Sequence, residues 1–299
     1  MVLPAFSAVA ELLKPITWFP PMWAFACGAV ASGASLDGRL GLLAGGVVLA
    51  GPLVCATSQA VNDWFDREVD AINEPHRPIP SGRMPGRWGL YVAIAWTVLS
   101  LGVASLFGAW VLAAAVFGLG LAWAYSAPPL RLKRNGWWGN AACGLCYEGL
   151  AWVTGAAVMA GGAPTLPSLI LAALYSAGAH GIMTLNDFKS IEGDRRMGIA
   201  SLPVQLGPRR AALAASATMA LSQLAVIALL VEWQRPWHAL AIGLLLAVQL
   251  LMMRRFVAAP REKALWFSGL GVPLFVLGML VSAFALRGMA ALPVMGGQG

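Results

Sequence analysis

Apolar segments of about 20 residues, separated by short charged loops, make up most of the chain. A helix of roughly 20 apolar residues is long enough to cross the hydrocarbon core of a bilayer. Charged residues are 11% of the 299 and hydrophobic residues 59%, whereas a soluble domain carries about 25% charged residues. The sequence therefore predicts an all-α polytopic membrane bundle. We expect a single domain over residues 1–299, because no polar segment is long enough to fold alone.

The hydropathy pattern predicts nine transmembrane helices joined by short loops. Gly and other small residues recur within them, which suits close packing of helices in lipid. The predicted spans are about residues 16–35, 40–62, 89–107, 109–126, 138–160, 166–187, 209–231, 237–254 and 264–286.

The basic residues are divided unevenly between the two sides of such a bundle. Of the 20 Lys and Arg residues, only Arg39, Arg235 and Arg287 fall on one side. Loops rich in Lys and Arg remain in the cytoplasm. We therefore expect the N-terminus and the loops after the second, fourth, sixth and eighth spans to be cytoplasmic. The net charge of +7 comes from basic residues in the short loops of a membrane protein. We therefore attribute it to membrane topology rather than to nucleic-acid binding, and expect the lipid bilayer to be the partner.

The second predicted span ends in the string NDWFDREVD, residues 62–70. Its Asp63, Asp66 and Asp70 are spaced i, i+3 and i+7, so on a helix they share one stripe. Neighbouring carboxylates repel each other unless a cation lies among them. Carboxylate oxygens, together with water and phosphate oxygens, are the ligands that Mg²⁺ prefers. The stripe therefore predicts a magnesium site, and the alternative is a solvated helix end with incidental charge.

A second copy of this string, NDFKSIEGD at residues 186–194, ends the sixth predicted span. Aligned without gaps, the copies share the first Asn, the first Asp and the last Asp, which here are Asn186, Asp187 and Asp194. Ser190 stands where the first copy has its middle Asp. Both spans end on the same side, so two facing carboxylate groups are expected to hold two Mg²⁺ ions and a diphosphate between them.

Basic residues follow both Asp motifs closely in the sequence. Carboxylates ringed by Arg and Lys fit a diphosphate better than a bare metal ion. A single Arg in such a loop is explained by topology alone, whereas the set converging on two Asp motifs favours phosphate binding. The candidate diphosphate-binding residues are Asn62, Arg77, Arg83, Tyr125, Arg131, Lys133, Arg134, Asn186 and Arg195.

Several polar side chains fall inside predicted spans. Glu148 is costly in a membrane and is a functional candidate by default, although a hydrogen bond to a neighbouring helix explains it equally well. His180 lies seven residues before the second motif, on its face, and is either a pocket residue or a core histidine. Cys143 and Cys146 form a CxxC pair, for which packing inside a helix is the favoured interpretation.

These features together resemble the UbiA-type membrane prenyltransferases, over essentially the whole chain. The NDxxDxxxD motif at the end of the second span, the second Asp motif at the end of the sixth and the nine spans carry the resemblance. Four longer strings are similar to the chlorophyll and bacteriochlorophyll synthase branch of that family. They are NDWFDREVDAINEPHRPIPSGR (62–83), YSAPPLRLKRNGWWGN (125–140), CYEGLAW (146–152) and GAHGIMTLNDFKSIEGDRRMGIASLPVQLG (178–207).

The resemblance implies a membrane prenyltransferase with Mg²⁺ as its cofactor. The implied substrates are geranylgeranyl diphosphate, or its phytyl counterpart, and bacteriochlorophyllide, whose propionate is esterified. His180, Glu148 and Tyr147 become candidates for the tetrapyrrole pocket. The implied setting is a bacterial inner membrane, cytoplasmic or intracytoplasmic and photosynthetic, with other pigment-synthesis or assembly proteins as candidate partners. The implied catalytic and metal-binding residues are Asp63, Asp66, Asp70, Asp187 and Asp194, with Glu192 as a further metal ligand.

The second Asp motif departs from the family pattern. That pattern is DxxxD, and Ser190 occupies the position of its first Asp. Serine at this position is typical of the tetrapyrrole branch. The second metal site is therefore not carried over intact, and Asp187 or Glu192 is the candidate to compensate.

Three other functions are compatible with parts of the pattern. One is a UbiA-type enzyme with another acceptor: chlorophyllide, an aromatic quinone precursor or haem. Another is a secondary transporter that uses intramembrane acids, but transporter sites lie near the bilayer midplane, whereas these acids lie at helix ends beside Arg-rich loops. The last is a pigment-binding assembly protein without catalysis, in which the metal and diphosphate residues would have no purpose.

Overall fold

The computed structural model describes residues 3–290, with the side chain of Ala290 excepted. Over this range the chain is a bundle of helices, and its only β-type pairing is an isolated bridge between Asn135 and Ala200. The helices are α1 (Phe6–Leu12), α2 (Phe19–Ala31), α3 (Leu40–Asn73), α4 (Trp88–Ser105), α5 (Ala109–Ser126), α6 (Gly136–Ala160), α7 (Leu166–Asp187), α8 (Ile191–Arg196), α9 (Leu202–Leu206), α10 (Pro208–Glu232), α11 (Pro236–Ala258) and α12 (Pro260–Ala290).

Eight of the helices described in residues 3–290 are long and apolar enough to cross a membrane, and α2 is a shorter apolar helix at the ninth predicted position. The prediction of an all-α membrane bundle is therefore confirmed. The first span is shorter than expected because a 3₁₀ turn at Pro15–Thr17 precedes it and Gly33, with φ of 75°, follows it. The second is longer, because α3 continues to Asn73.

Two of the long helices contain a widened π-helical turn. In α3 the turn covers Leu49–Cys55 and includes Pro52, which has no amide hydrogen to donate. In α6 it covers Leu145–Leu150. Such turns commonly lie at functional sites. Both of these lie next to residues that line the central cavity described below.

Helices α2 and α6 pack with their backbones in close contact. A β-carbon on Gly28 would collide with the carbonyl of Trp152, and one on Gly155 would collide with the carbonyl of Phe25. Small residues at helix crossings allow this approach in membrane proteins, where dispersion contacts rather than the hydrophobic effect drive association. The crossing fixes α6 relative to α2, and α6 carries much of the cavity wall.

Buried polar contacts join the C-terminal helices. Gln223 of α10 donates to Gln249 of α11 at 2.6 Å, and Gln249 donates to the Gly271 carbonyl of α12 at 2.7 Å. The hydroxyls of Tyr175 and Ser282 are 2.6 Å apart across α7 and α12. Because apolar surfaces alone give little specificity in lipid, such contacts help to fix the helix arrangement.

The loops predicted to share one side of the membrane lie together at one end of the bundle. Arg83 pairs with Glu11 at 2.6 Å, which joins the loop after α3 to α1. The bridge between Asn135 and Ala200 joins the segment after α5 to the segment after α7. This end of the bundle carries both Asp motifs.

Candidate functional site

The first Asp motif lies on the last turns of α3. Asp63 and Asp70 are buried and Asp66 is half-buried. The helix runs without interruption from Ala56 to Asn73, so the expected i, i+3, i+7 stripe is formed. Its three carboxylates are nevertheless divided between two groups of cations.

Asp63 and Asp70 share the guanidinium of Arg77. Its Nη1 lies 2.9 Å from an oxygen of Asp70 and 3.4 Å from an oxygen of Asp63, and its Nε pairs with Glu74. The hydrogen bond from Arg77 holds the pKa of the Glu74 carboxyl below its ordinary value. The predicted Arg77 is therefore in the site, fixed by three acids.

Lys14 also contacts Asp63, with its Nζ 2.5 Å from the carboxylate. From the sequence, Lys14 was expected only to contribute to the positive charge on the cytoplasmic side. Lys14 lies between α1 and the turn at Pro15–Thr17 and has a φ of 47°, in a left-handed conformation unusual for lysine. A cation directly before a proline at the start of the first span was the available signal, but nothing local linked it to residue 63.

Asp66 faces the segment after α5. Lys133 Nζ lies 2.6 Å from its carboxylate and Arg131 Nη2 lies 3.8 Å away. The Lys133 side chain is only 11% exposed. Burial lowers the pKa of its ammonium group, although the neighbouring Asp66 opposes the shift. This places a desolvated lysine at the predicted diphosphate site.

The second Asp motif is not continuous. Helix α7 ends at Asp187, and α8 begins only at Ile191. Asp187 accepts hydrogen bonds from the side chain of Asn140, at 3.3 Å, and from the backbone of Leu202. Ser190 donates to Asp194 at 2.9 Å. Within residues 3–290, no Lys or Arg forms an ion pair with either Asp of this motif.

One cavity of about 540 Å³ joins the ends of the two motifs, a volume within the range of about 300–1,000 Å³ typical of small-molecule sites. Asn62 lines it from the first motif, and Asn186 and Asp187 line it from the second. The deeper wall is mostly apolar. It includes Pro20, Pro21, Ala50, Val54, Gly118, Leu121, Ala122, Ile182, Met183 and Val272.

Aromatic and thiol side chains line the same cavity. Tyr125 and Tyr147, both predicted, lie in its wall, as do Cys55, Cys143 and Cys146. All three cysteines are free thiols. The CxxC pair lies within α6, as expected, and Cys146 Sγ contacts the Gly118 carbonyl of α5 at 3.8 Å. Both cysteines also line the cavity, which the sequence does not indicate, because residue type does not distinguish the cavity face of a helix from its packing face.

Several of the residues predicted to bind diphosphate or metal lie away from the cavity and its carboxylates. Arg83 pairs with Glu11 near the surface. Glu192 is 61% exposed and pairs with Arg195 and Arg261. Arg134 is exposed, and its guanidinium lies near Gly198. These side chains are not brought together with the carboxylates of the cavity.

Glu148 and His180, the tetrapyrrole-pocket candidates inside the membrane-spanning helices, have different surroundings. Glu148 is buried, and its Oε2 has no hydrogen-bond partner among the described residues. The ring of His180 stacks on Trp137 with centroids 5.6 Å apart. Neither side chain belongs to the wall of the large cavity. Their proposed contact with a tetrapyrrole stays a prediction.

The oxygen donors of the site fit a hard divalent cation. Asp63 Oδ2 is buried without a hydrogen-bond partner in the described part of the chain, and Asn62 and Asp187 line the cavity. Carboxylate and amide oxygens are ligands that suit Mg²⁺. Within residues 3–290, no three His, Cys, Asp or Glu side chains form a cluster that could hold a metal, because the first motif turns toward Lys14, Arg77 and Lys133. The ligand roles of the Asp residues stay predictions.

The sequence matches a described family over most of its length. The model of the UbiA prenyltransferase family matches residues 17–276. The chain is 56% identical to the bacteriochlorophyll synthase 33 kDa chain of Cereibacter sphaeroides, over 97% of this chain and 96% of that protein. It is 38% identical to the chloroplastic chlorophyll synthase of Oryza sativa, over 92% of this chain and 75% of that protein.

The fold also matches a solved structure. A UbiA homologue from Archaeoglobus fulgidus, bound to GPP and Mg²⁺, superposes with a TM-score of 0.65. The match covers 95% of this chain and 98% of that one, at 19% identity. At this identity the likeness concerns the fold.

Proposed function

The chain belongs to the UbiA prenyltransferase family, and we propose that it esterifies bacteriochlorophyllide with a geranylgeranyl group. The donor is geranylgeranyl diphosphate or its phytyl counterpart, and the acceptor is the propionate carboxylate. The observation that carries the proposal is the 56% identity to a bacteriochlorophyll synthase across nearly the full length of both proteins. Identity to a plant chlorophyll synthase is lower, at 38%.

The diphosphate binds at the mouth of the cavity, between the two Asp motifs. Asp63, Asp66, Asp70 and Asn62, with Asp187 from the second motif, would hold Mg²⁺, which when bound would supply positive charge to the diphosphate. Lys133 and Arg77 add fixed positive charge to the same end of the cavity. As the bond between C1 and the diphosphate oxygen breaks, the leaving group takes the electron pair, and these cations stabilise its charge.

The allylic chain occupies the deeper, apolar part of the cavity. Water there would capture the developing carbocation, so an apolar wall protects it. Tyr125 and Tyr147 present aromatic rings to the cavity, and the face of an aromatic ring stabilises a nearby cation.

The acceptor carboxylate then completes the reaction. One propionate oxygen donates a lone pair to C1, and the ester C–O bond forms. A carboxylate is already ionised near neutral pH, so this chain needs no general base. This agrees with the site, where the acids nearest the cavity are engaged by cations or by amide and backbone donors.

The active end of the bundle faces the cytoplasm in this proposal. Lys and Arg residues concentrate in the loops at the end that holds both Asp motifs, and the contacts of Arg83 with Glu11 and Arg261 with Glu192 bring those loops together. The excess of positive charge favours the cytoplasmic side of a bacterial inner membrane. Both substrates are amphipathic, so a site at the membrane surface suits their partitioning.

The direct test uses membranes that contain the protein, supplied with Mg²⁺, geranylgeranyl diphosphate and either bacteriochlorophyllide or chlorophyllide. The product is identified by chromatography and mass. Asp66→Asn is assayed in parallel, with Glu68→Gln as the matched control. Glu68 lies on the same helix, but its side chain is 87% exposed and contacts only its neighbour Arg67.

Ester from bacteriochlorophyllide, lost in Asp66→Asn and kept in Glu68→Gln, is the expected result. Ester from chlorophyllide alone would assign the chain to the chlorophyll synthase type. Prenylation of 4-hydroxybenzoate without any ester would keep the family and overturn the acceptor.

A further inference from the structure

A polar pair lies in the cavity wall one helical turn deeper than the first Asp motif. Gln59 precedes Asp63 by four residues on α3, which is a rise of about 6 Å. Gln59 and Tyr147 both line the cavity. The Gln59 amide nitrogen donates a hydrogen bond to the Tyr147 hydroxyl at 2.9 Å, so the pair bridges α3 and α6.

This pair has donors left over for a ligand. The Gln59 amide has two N–H groups, and one of them is used by Tyr147. The Cys55 sulfur lies 3.6 Å from the Tyr147 oxygen, but it lies nearer the Thr17 carbonyl, at 3.4 Å, and has one hydrogen to donate. The Tyr147 oxygen accepts from Gln59, so its own hydrogen can rotate between the neighbouring Ser58 and a ligand. A ligand at this point of the wall can therefore meet one N–H of Gln59 and the O–H of Tyr147 side by side.

In the proposed function the diphosphate of the prenyl donor is held by the Asp motifs at the cavity mouth, one helical turn from this pair. Beyond C1 a geranylgeranyl chain is pure hydrocarbon and has no atom that can use these donors. Polar side chains at membrane depth are costly unless they are hydrogen-bonded. An acceptor molecule in the same cavity is then the remaining source of polar atoms at this level.

We propose that Gln59 and Tyr147 bind the propionate carboxylate of the acceptor, an inference that rests on the proposed function. A carboxylate offers two oxygens with about four lone-pair positions, which match an N–H and an O–H donor side by side. Neutral donors position the carboxylate without pairing it with a cation, so its oxygen stays nucleophilic. Because the pair lies one helical turn from Asp63, a carboxylate bound there would lie close to C1 of a donor whose diphosphate is held by the Asp motifs.

Two substitutions test this subsite by steady-state kinetics. Gln59→Leu keeps the size of the side chain and removes its hydrogen bonds, and Tyr147→Phe removes only the hydroxyl. A hydrogen bond to a charged group contributes enough to change affinity roughly 10- to 100-fold. We expect KM for bacteriochlorophyllide to rise by that factor, while KM for geranylgeranyl diphosphate stays within about twofold.

Thr57→Val is the matched control. Thr57 lies on the same helix, is buried and donates to the Leu53 carbonyl at 2.8 Å, but it does not line the cavity. Its KM values for both substrates are expected to equal those of the wild type. A general loss of packing in α3 would instead change KM for both substrates in all three variants.

A competitor gives a second, independent readout. The methyl ester of the bacteriochlorophyllide propionate has no carboxylate and cannot be prenylated there. The wild type should bind the methyl ester, measured by its inhibition constant, more weakly than the free acid. Gln59→Leu should bind the acid and the ester with similar affinity. An unchanged preference for the acid in Gln59→Leu would overturn the inference.

The outcomes separate this inference from the proposed function. Suppose that the wild type makes the bacteriochlorophyllide ester and that Gln59→Leu and Tyr147→Phe have the wild-type KM for bacteriochlorophyllide. Then only the proposed subsite is overturned. If both KM values rise equally, the pair has a structural role and the subsite is again overturned. If the wild type makes no ester from bacteriochlorophyllide, the proposed function fails together with the inference.

Discussion

The first Asp motif, residues 62–70, lies on one uninterrupted helix, whereas the second, residues 186–194, is broken after Asp187. In the first, the motif's Asp side chains belong to the same helix face. In the second, Asp194 lies on the separate short helix α8 and is tied to Ser190. Two strings that align without a gap therefore have different backbones.

Their charge balance differs even more than their backbones. Lys14, Arg77 and Lys133 contact the three carboxylates of the first motif. Within residues 3–290, the donors to Asp187 are neutral: the side chain of Asn140 and the backbone of Leu202. A carboxylate removed from water without a cation is destabilising. The described part of the chain therefore supplies cations to its first motif but none to its second, and we expect the second motif to depend on a bound cation.

Loss of Lys133 should have the largest effect on turnover. Lys133→Met removes a buried cation from the diphosphate end and leaves Asp66 with only the 3.8 Å contact to Arg131. Removing one charged stabiliser of a leaving group costs roughly 10²–10³-fold in turnover. Lys263→Met, at the start of α12, is the control. Turnover of Lys133→Met within a few-fold of the wild type would contradict the role of this cation.

The pH dependence of turnover should report the same lysine. Burial lowers the pKa of Lys133, and in the proposed function only its charged form stabilises the diphosphate. Activity is therefore lost as pH rises through this lowered pKa, earlier than for an exposed lysine. Arginine stays charged throughout this range, so a Lys133→Arg variant that retains activity should lose it only at higher pH. Identical alkaline limbs in the two pH profiles would contradict this assignment.

An added carboxylate should turn the second motif into a metal-dependent element. Ser190→Asp replaces the donor to Asp194 with a second acid, with no cation in contact among the described residues. We expect the free energy of unfolding without Mg²⁺ to fall by roughly 1–3 kcal/mol, and Mg²⁺ to restore it. Ser190→Ala loses the hydrogen bond without adding charge. Its free energy of unfolding should fall less than that of Ser190→Asp, and thermal denaturation should show no added dependence on Mg²⁺.

The smallest effect is expected at Glu192. Its carboxylate is exposed and pairs with Arg195 and Arg261, and exposed ion pairs contribute only about 0–1 kcal/mol. Glu192→Gln should change turnover and the Mg²⁺ concentration for half-activity by less than about twofold. A clear rise in the Mg²⁺ requirement would restore Glu192 as a metal ligand.

The sequence predicts local features of this molecule well. The helix spans follow from hydropathy, and the stripe formed by Asp63, Asp66 and Asp70 follows from helical periodicity, since both depend only on neighbours along the chain. The sequence also indicated Arg77, seven residues after Asp70, as part of the site, but as a ligand of the diphosphate rather than as the ion-pair partner of Asp63 and Asp70. These parts required no knowledge of how the helices pack.

The rest depends on tertiary contacts that spacing does not encode. Lys14 reaches Asp63 across 49 positions, and Gln59 reaches Tyr147 across 88. The break after Asp187 is hidden by an alignment without gaps, because Ser190 starts a new hydrogen-bond pattern rather than continuing the helix. The cysteines of the CxxC pair face a cavity whose existence depends on how several helices converge.

The most direct test of this unequal charge balance is the thermal stability of Asp63→Asn and Asp187→Asn, measured side by side in detergent with and without Mg²⁺. Without Mg²⁺, Asp63→Asn should be less stable than the wild type, since Lys14 loses its carboxylate partner and Arg77 loses one of three. Asp187→Asn should be more stable than the wild type. Mg²⁺ should stabilise the wild type and stabilise Asp187→Asn much less. A change of the same sign in both variants without Mg²⁺ would contradict the account.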